Sequence, residues 1–164
     1  MPDPMGLFPP RARFEAAVAA GNGLLARHRF PQRGSARELE AWLQTDTPYP
    51  NPEPAAILAS PFLVVHEIVE IEETKRAGLT ITKDVILRHT EAINDAHLAA
   101  AEVELRIAAM EREREYVASR FDDLQSWCED PVLTPGQRAA YESLRDRVAT
   151  WLRVPQTDRA TEGI

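Results

Sequence analysis

Apolar and polar positions along this 164-residue chain recur at the helical period, and no segment keeps the two-residue alternation of a half-buried strand. Residues 1–10, with prolines and a glycine, predict a flexible arm. From Arg11 to about His28, Phe14, Val18 and Leu25 recur on one face. Gly21-Asn22-Gly23 interrupts this helix and predicts a kink or a split there, because each Gly costs roughly 1 kcal/mol against Ala. Ser35-Ala36-Arg37-Glu38 has capping-box spacing and predicts a short helix to about Gln44 that presents Leu39, Trp42 and Leu43. Pro48, Pro50, Pro52 and Pro54 push their predecessors out of the helical region, so residues 46–54 are expected to be extended. This stretch, with Tyr49 in it, reads as a spacer or as a ligand for an aromatic groove.

The strongest pattern lies in the middle of the chain. Ser60-Pro61 is an N-cap followed by a first-turn proline, opening a helix over residues 61–77 that Gly78 ends as a left-handed cap. Thr82 is the expected next N-cap, with Asp84 in the first turn. No breaker follows before Pro131, so the second helix is expected from 83 to about Trp127, roughly 65 Å at 1.5 Å per residue. A helix that long needs a bend near Ser119–Asp123 or a partner for its second half. Thr134-Pro135 opens a last helix to about Leu152, with Tyr141, Leu144, Val148 and Trp151 on one face, and residues 154–164 form a polar tail. The predicted fold is all-α: a helical bundle built on a long antiparallel hairpin, with N-terminal helices and a C-terminal helix packed against it. Residues 11–153 are expected to form one helical domain.

Placing residues at 100° steps puts Val64, Val65, Ile68, Val69 and Ile71 on an arc of about 160° with Glu72 near its centre. Glu67, Glu70 and Thr74 fall opposite, and His66 and Glu73 at the boundary. On the second helix Val85, Ile86, Ile93, Ala96, Ala100, Val103 and Ile107 form a stripe with His89 at its middle, flanked by His97 and Glu104. Leu87, Leu98 and Leu105 make a second apolar line that suits a homodimer. A short turn sets the two helices antiparallel, so Glu72 and His89 are expected to meet in the interior. A buried carboxylate and imidazole must satisfy each other or a third group. They read as a register-fixing pair, or as the start of a metal or acid–base site completed from His66, His97, Glu73 and Glu104.

Composition narrows the classes. A formal charge of −7 and a pI near 5.1 argue against a nucleic-acid binder. Residues 1–45 carry six Arg against four acids, net +2, leaving −9 for the remainder. The basic part reads either as neutralising the acidic helices or as an anion site at Arg27, His28, Arg29 and Arg33. A single cysteine, Cys128, excludes an internal disulfide and a Cys-rich metal site, and reads as a packed residue. With no signal-like start and no long apolar run, a cytoplasmic protein away from membranes is expected. Arg112, Arg114 and Arg120 among Glu111, Glu113 and Glu115 read as intrahelical ion pairs.

A second carboxylate set is Glu67, Glu70, Glu91 and Asp95. Glu67-x-x-Glu70, followed about twenty residues on by another acidic pair, resembles the all-α nucleoside-triphosphate pyrophosphohydrolases over residues 67–95. That resemblance implies two acidic pairs on adjacent helices holding Mg²⁺ against a triphosphate. The chain departs from the family's Glu-x-x-Asp at the second pair, because Glu91 is followed three on by Asn94, and Asp95 is one residue late. No Glu-x-x-His falls on a predicted helix, which argues against a ferritin-like di-iron site. Two functions are therefore expected in competition. One is a helical assembly or interaction protein with a buried Glu–His pair. The other is a small metal-dependent hydrolase of a phosphate-containing metabolite, using Mg²⁺ on the carboxylates, or Zn²⁺ or Fe²⁺ where imidazole takes part.

Overall fold

The computed structural model describes residues 8–50 and 52–155, and all regular structure among them is helical, as the periodicity predicts. In order, the helices are α1 (Arg11–Arg27), α2 (Ala36–Trp42), α3 (Pro54–Ala59), α4 (Pro61–Arg76), α5 (Val85–Arg88), α6 (Thr90–Met110), α7 (Arg114–Cys128) and α8 (Pro135–Arg153). They belong to two compact units that divide between Ile107 and Ala108, within the last turn of α6.

In the first unit α1, α2 and α3 all pack on α4. The ends of α4 follow the sequence. The Ser60 hydroxyl accepts the Leu63 amide at 3.3 Å, and Gly78, at φ +84°, closes a Schellman motif in which the Gly78 and Leu79 amides bond the Lys75 and Thr74 carbonyls. The shared core holds Phe14, Leu25, Leu39, Val64, Val65 and Ile68, each fully buried. Each such side chain contributes roughly 1.5–3 kcal/mol through burial. Gly21-Asn22-Gly23 does not break α1, which runs unbroken. A Cβ on Gly21 would lie 2.9 Å from Val64 Cγ1 and 3.0 Å from Ile68 Cδ1, so the glycine admits α4 instead of ending α1. Asn22 clamps the following loop: its amide nitrogen donates to the Gly34 carbonyl at 3.0 Å and its oxygen accepts the Gly34 amide at 2.8 Å. Helix α3 lies at the end of the proline run, where Pro54 starts a helix at its first position that the extended reading overlooked.

The long helix expected from 83 to 127 is interrupted twice. Thr82 is not its N-cap, since its hydroxyl donates to Asp84 Oδ1 at 2.8 Å and only the single turn of α5 follows. His89 then leaves the helical region at φ −131°, ψ 45°, and its carbonyl accepts the Ile93 amide as α6 begins. The second interruption is a Schellman closure with Arg112 at φ +64°: the Arg112 and Glu113 amides bond the Ala109 and Ala108 carbonyls. Arg29, at φ +63°, ends α1 the same way, through Ala26 and Leu25. A left-handed non-glycine residue costs about 1–2 kcal/mol, and it leaves no glycine in the sequence to announce the stop.

In the second unit α7 and α8 run antiparallel and cap each other. Arg114 at the start of α7 donates to the Leu152 and Val154 carbonyls at the end of α8. Arg138 near the start of α8 donates to the Cys128 and Asp130 carbonyls at the end of α7. Cations at helix C-termini also favour the helix dipole. Thr134 and Gln137 form the capping box of α8, and Val117, Leu124, Leu133, Tyr141, Leu144 and Val148 are buried. Arg120 pairs with Asp123 at 2.9 Å and stacks over Trp127, 4.8 Å from the ring centre, an intrahelical pair of the expected kind.

Candidate functional site

Helix α4 is buried around its whole circumference, polar face included: His66, Glu70 and Thr74 are buried along with Val64, Val65, Ile68, Val69 and Ile71. An amphipathic reading assigns one face to water. Here α1 and α2 take the apolar face, and Glu104 and His97 of α6 meet His66 on the polar one.

His66 is the centre of the cluster. Its Nδ1 lies 2.7 Å from Glu104 Oε2 and its Nε2 lies 3.5 Å from Glu70 Oε2. The His97 ring packs edge-on against it, with centroids 4.8 Å apart. Glu104 is 0% exposed, His66 4% and Glu70 7%. Burial alone would strip the proton from His66, but the hydrogen bonds to Glu104 and Glu70 outweigh it and raise the imidazole pKa to about 10. Both ring nitrogens therefore carry protons at neutral pH and donate to carboxylates.

Glu67 stands on the half-buried side of α4 toward α2, where its Oε2 accepts the Trp42 indole N–H at 2.7 Å. Burial, and next the negative charge of Glu70, raise its carboxyl to about 7 against the pull of the His66 charge and the Trp42 bond.

The expected pairing of Glu72 with His89 does not occur. Glu72 is half-buried and bonds Lys75 at 2.7 Å, the ammonium that also holds Glu38 of α2 at 2.6 Å. His89 is exposed, because the break at this residue rotates it off the stripe that a continuous helix from 83 would have carried. Glu73 turns to the α1–α2 loop, accepting from Gln32 Nε2 at 3.1 Å and pairing with Arg76. Of the interior candidates the structure thus brings together His66 and His97, with Glu104, and leaves Glu72, Glu73 and His89 elsewhere. Of the carboxylate set, Glu67 and Glu70 join the cluster, whereas Glu91 and Asp95 are on the exposed side of α6. Among the described residues no group of three or more His, Cys, Asp or Glu is arranged to hold a metal ion.

The basic N-terminal candidates stand at the end of α1 and in the loop that follows it. Arg33 is bound to the Phe30 carbonyl at 2.7 Å and to that of Gln32, and Arg27 and Arg29 are exposed. Cys128 is buried, which pushes its thiol pKa up. Trp42 as the partner of Glu67 was not foreseen. The available signal was a polar stripe on each helix: His66 and Glu70 at i,i+4 on one, Asn94, His97 and Glu104 on the other.

Among the described residues no helix is long and apolar enough to cross a membrane. No protein-family model, curated protein or solved structure matches the chain.

Proposed function

We propose that this chain is a helical interaction protein of the cytoplasm that pairs with a second copy of itself, and that its interior charge cluster is a structural lock. What carries this reading is the engagement of both ring nitrogens of His66 by Glu104 and Glu70. While it is protonated, an imidazole held between two carboxylates has no lone pair for a substrate proton or a metal, and it fixes one helix against another, the use of buried polar groups best attested in helical assemblies. The work then falls to the surface. Leu87 on α5 and Met110 at the end of α6 are 50% and 48% exposed, and each is an apolar side chain that a second copy could cover. The acidic balance of the chain favours a protein partner over nucleic acid.

Light scattering on the full chain at micromolar concentration, paired with elemental analysis of protein purified without added metal, tests this. A dimer without stoichiometric metal is expected, and Leu87→Asp or Met110→Asp shifts it toward monomer. A strict monomer overturns the assembly reading. A stoichiometric metal lost on Glu70→Gln or Glu104→Gln overturns the structural lock and returns the hydrolase reading.

A further inference from the structure

The lock has one carboxylate too many. Three carboxylates, Glu67, Glu70 and Glu104, surround one imidazolium, and the two ring nitrogens are taken by Glu70 and Glu104. Glu67 is left with a neutral donor, the indole of Trp42. Like charges crowded in a poorly solvated site cannot all ionise together, so the least compensated of them takes the proton.

The other elements around α4 do not offset this. Helix α3 has no ionisable residue, and Arg11, Arg13, Glu15 and Arg27 of α1 are exposed. On α2, Glu38 is held by Lys75, Glu40 is held by Arg11 and Arg37 is exposed. On α6, His97 lies against His66, Glu102 pairs with Arg106, and Glu91 and Asp95 are exposed. On α4 itself, Glu72 and Glu73 are held by Lys75 and Arg76.

We propose that Glu67 is a proton-operated latch between α2 and α4, in which the ionised carboxylate grips the Trp42 indole and the protonated one loosens it. A hydrogen bond to an ionised acceptor is roughly twice as strong as a neutral one, so the proton changes the strength of the bond that joins the two helices at this point. Trp42 is 4% exposed and ends α2, which makes α2 the element that would respond. The carboxyl pKa of about 7 places the change near neutral pH. The latch does not depend on what the surface binds.

The test is the Trp42 Nε1–H resonance in ¹⁵N-tryptophan-labelled full-length protein, followed from pH 5.5 to 8.5. The expected result is a shift downfield as pH rises, with a midpoint near 7, that is absent in Glu67→Gln, whose side-chain oxygen still accepts but does not titrate. A flat wild-type resonance, or a titration that persists in Glu67→Gln, overturns the proposal. Carbon-detected titration of the Glu67 carboxyl in the unaltered chain makes the test independent of that variant: a midpoint at the ordinary 4.5 overturns the latch as well.

Discussion

Glu104 shows how costly a single buried charge becomes when its partner is removed. It is fully buried and its carboxylate is 2.7 Å from His66. Replacing His66 by Leu would leave that carboxylate in a dry interior without its cation, a change that costs about 3–5 kcal/mol. Replacing both residues by Leu removes the charge together with its partner and trades an ion pair for apolar packing of similar volume, which is often neutral or stabilising. Urea unfolding of the two single variants and the double variant should therefore be strongly non-additive, with the double variant within about 1–2 kcal/mol of the parent. Additive losses would show that the two side chains do not act as a unit. The need for an interior carboxylate–imidazole pair could be read from the sequence, and His66 and Glu104 were among its candidates, but Glu72 and His89 were placed at its centre instead. Wheel positions choose residues by the phase of an unbroken helix, and the break at His89 shifts that phase for every residue before it. Glu70 falls opposite the apolar arc, His66 at its boundary and Glu104 beside the stripe of the next helix, and only the packing around α4 tells an inward polar position from a solvated one.

Thr82 apart, elements with chemical end signals are placed by sequence to within a residue or two, and elements that end without them are not. Ser60, Pro61, Gly78, Thr134 and Pro135 mark their ends through cap hydrogen bonds or a fixed backbone dihedral. Arg29 and Arg112 form the same left-handed closures as Gly78 with nothing in their side chains to advertise it, and the Arg112 closure, with the break at His89, divides the one long helix expected where α5, α6 and α7 stand. Gly21 and Gly23 show that identical residues two apart carry different meanings. A methyl group on Gly21 would meet Val64 and Ile68 at about 3 Å, whereas one on Gly23 would meet nothing within 4 Å. Gly23→Ala should gain roughly 0.5–1 kcal/mol from helix propensity. Gly21→Ala gains the same locally but overpacks the α1–α4 contact at a cost of about 1–3 kcal/mol, so it should lower the melting temperature where its neighbour raises it. Two stabilising substitutions would mean that α1 and α4 do not approach each other at Gly21.

For the whole molecule the cluster fixes how stability depends on pH, and the sign follows from two groups. Glu67 has a folded pKa of about 7 against an ordinary 4.5, so between these values the folded chain holds more protons than the unfolded chain, and stability falls as pH rises. His66, raised from 6.5 to about 10, contributes stability that is complete below 6.5 and is lost as pH climbs toward 10. The two windows join end to end, giving a decline from about pH 5 to about pH 10. Glu38 acts in the other direction at the acid end: its lowered folded pKa, due first to Lys75, adds stability above 4.5 that is lost below it. The optimum should therefore lie near pH 5, on the acidic side of the usual range, although the protein already carries a formal charge of −7 at neutral pH. A combined loss of several kcal/mol between pH 5 and 9 corresponds to a melting temperature lower by roughly 10–20 °C for a chain of this size. Calorimetry at constant ionic strength on three proteins separates the contributions. The parent should decline across the whole range. Glu67→Gln should be flat up to about pH 6.5 and then decline. The His66→Leu, Glu104→Leu double variant should lose the decline above pH 7. A parent whose melting temperature is level or rises from pH 5 to 9 would show that neither proton is held as the geometry around His66 requires.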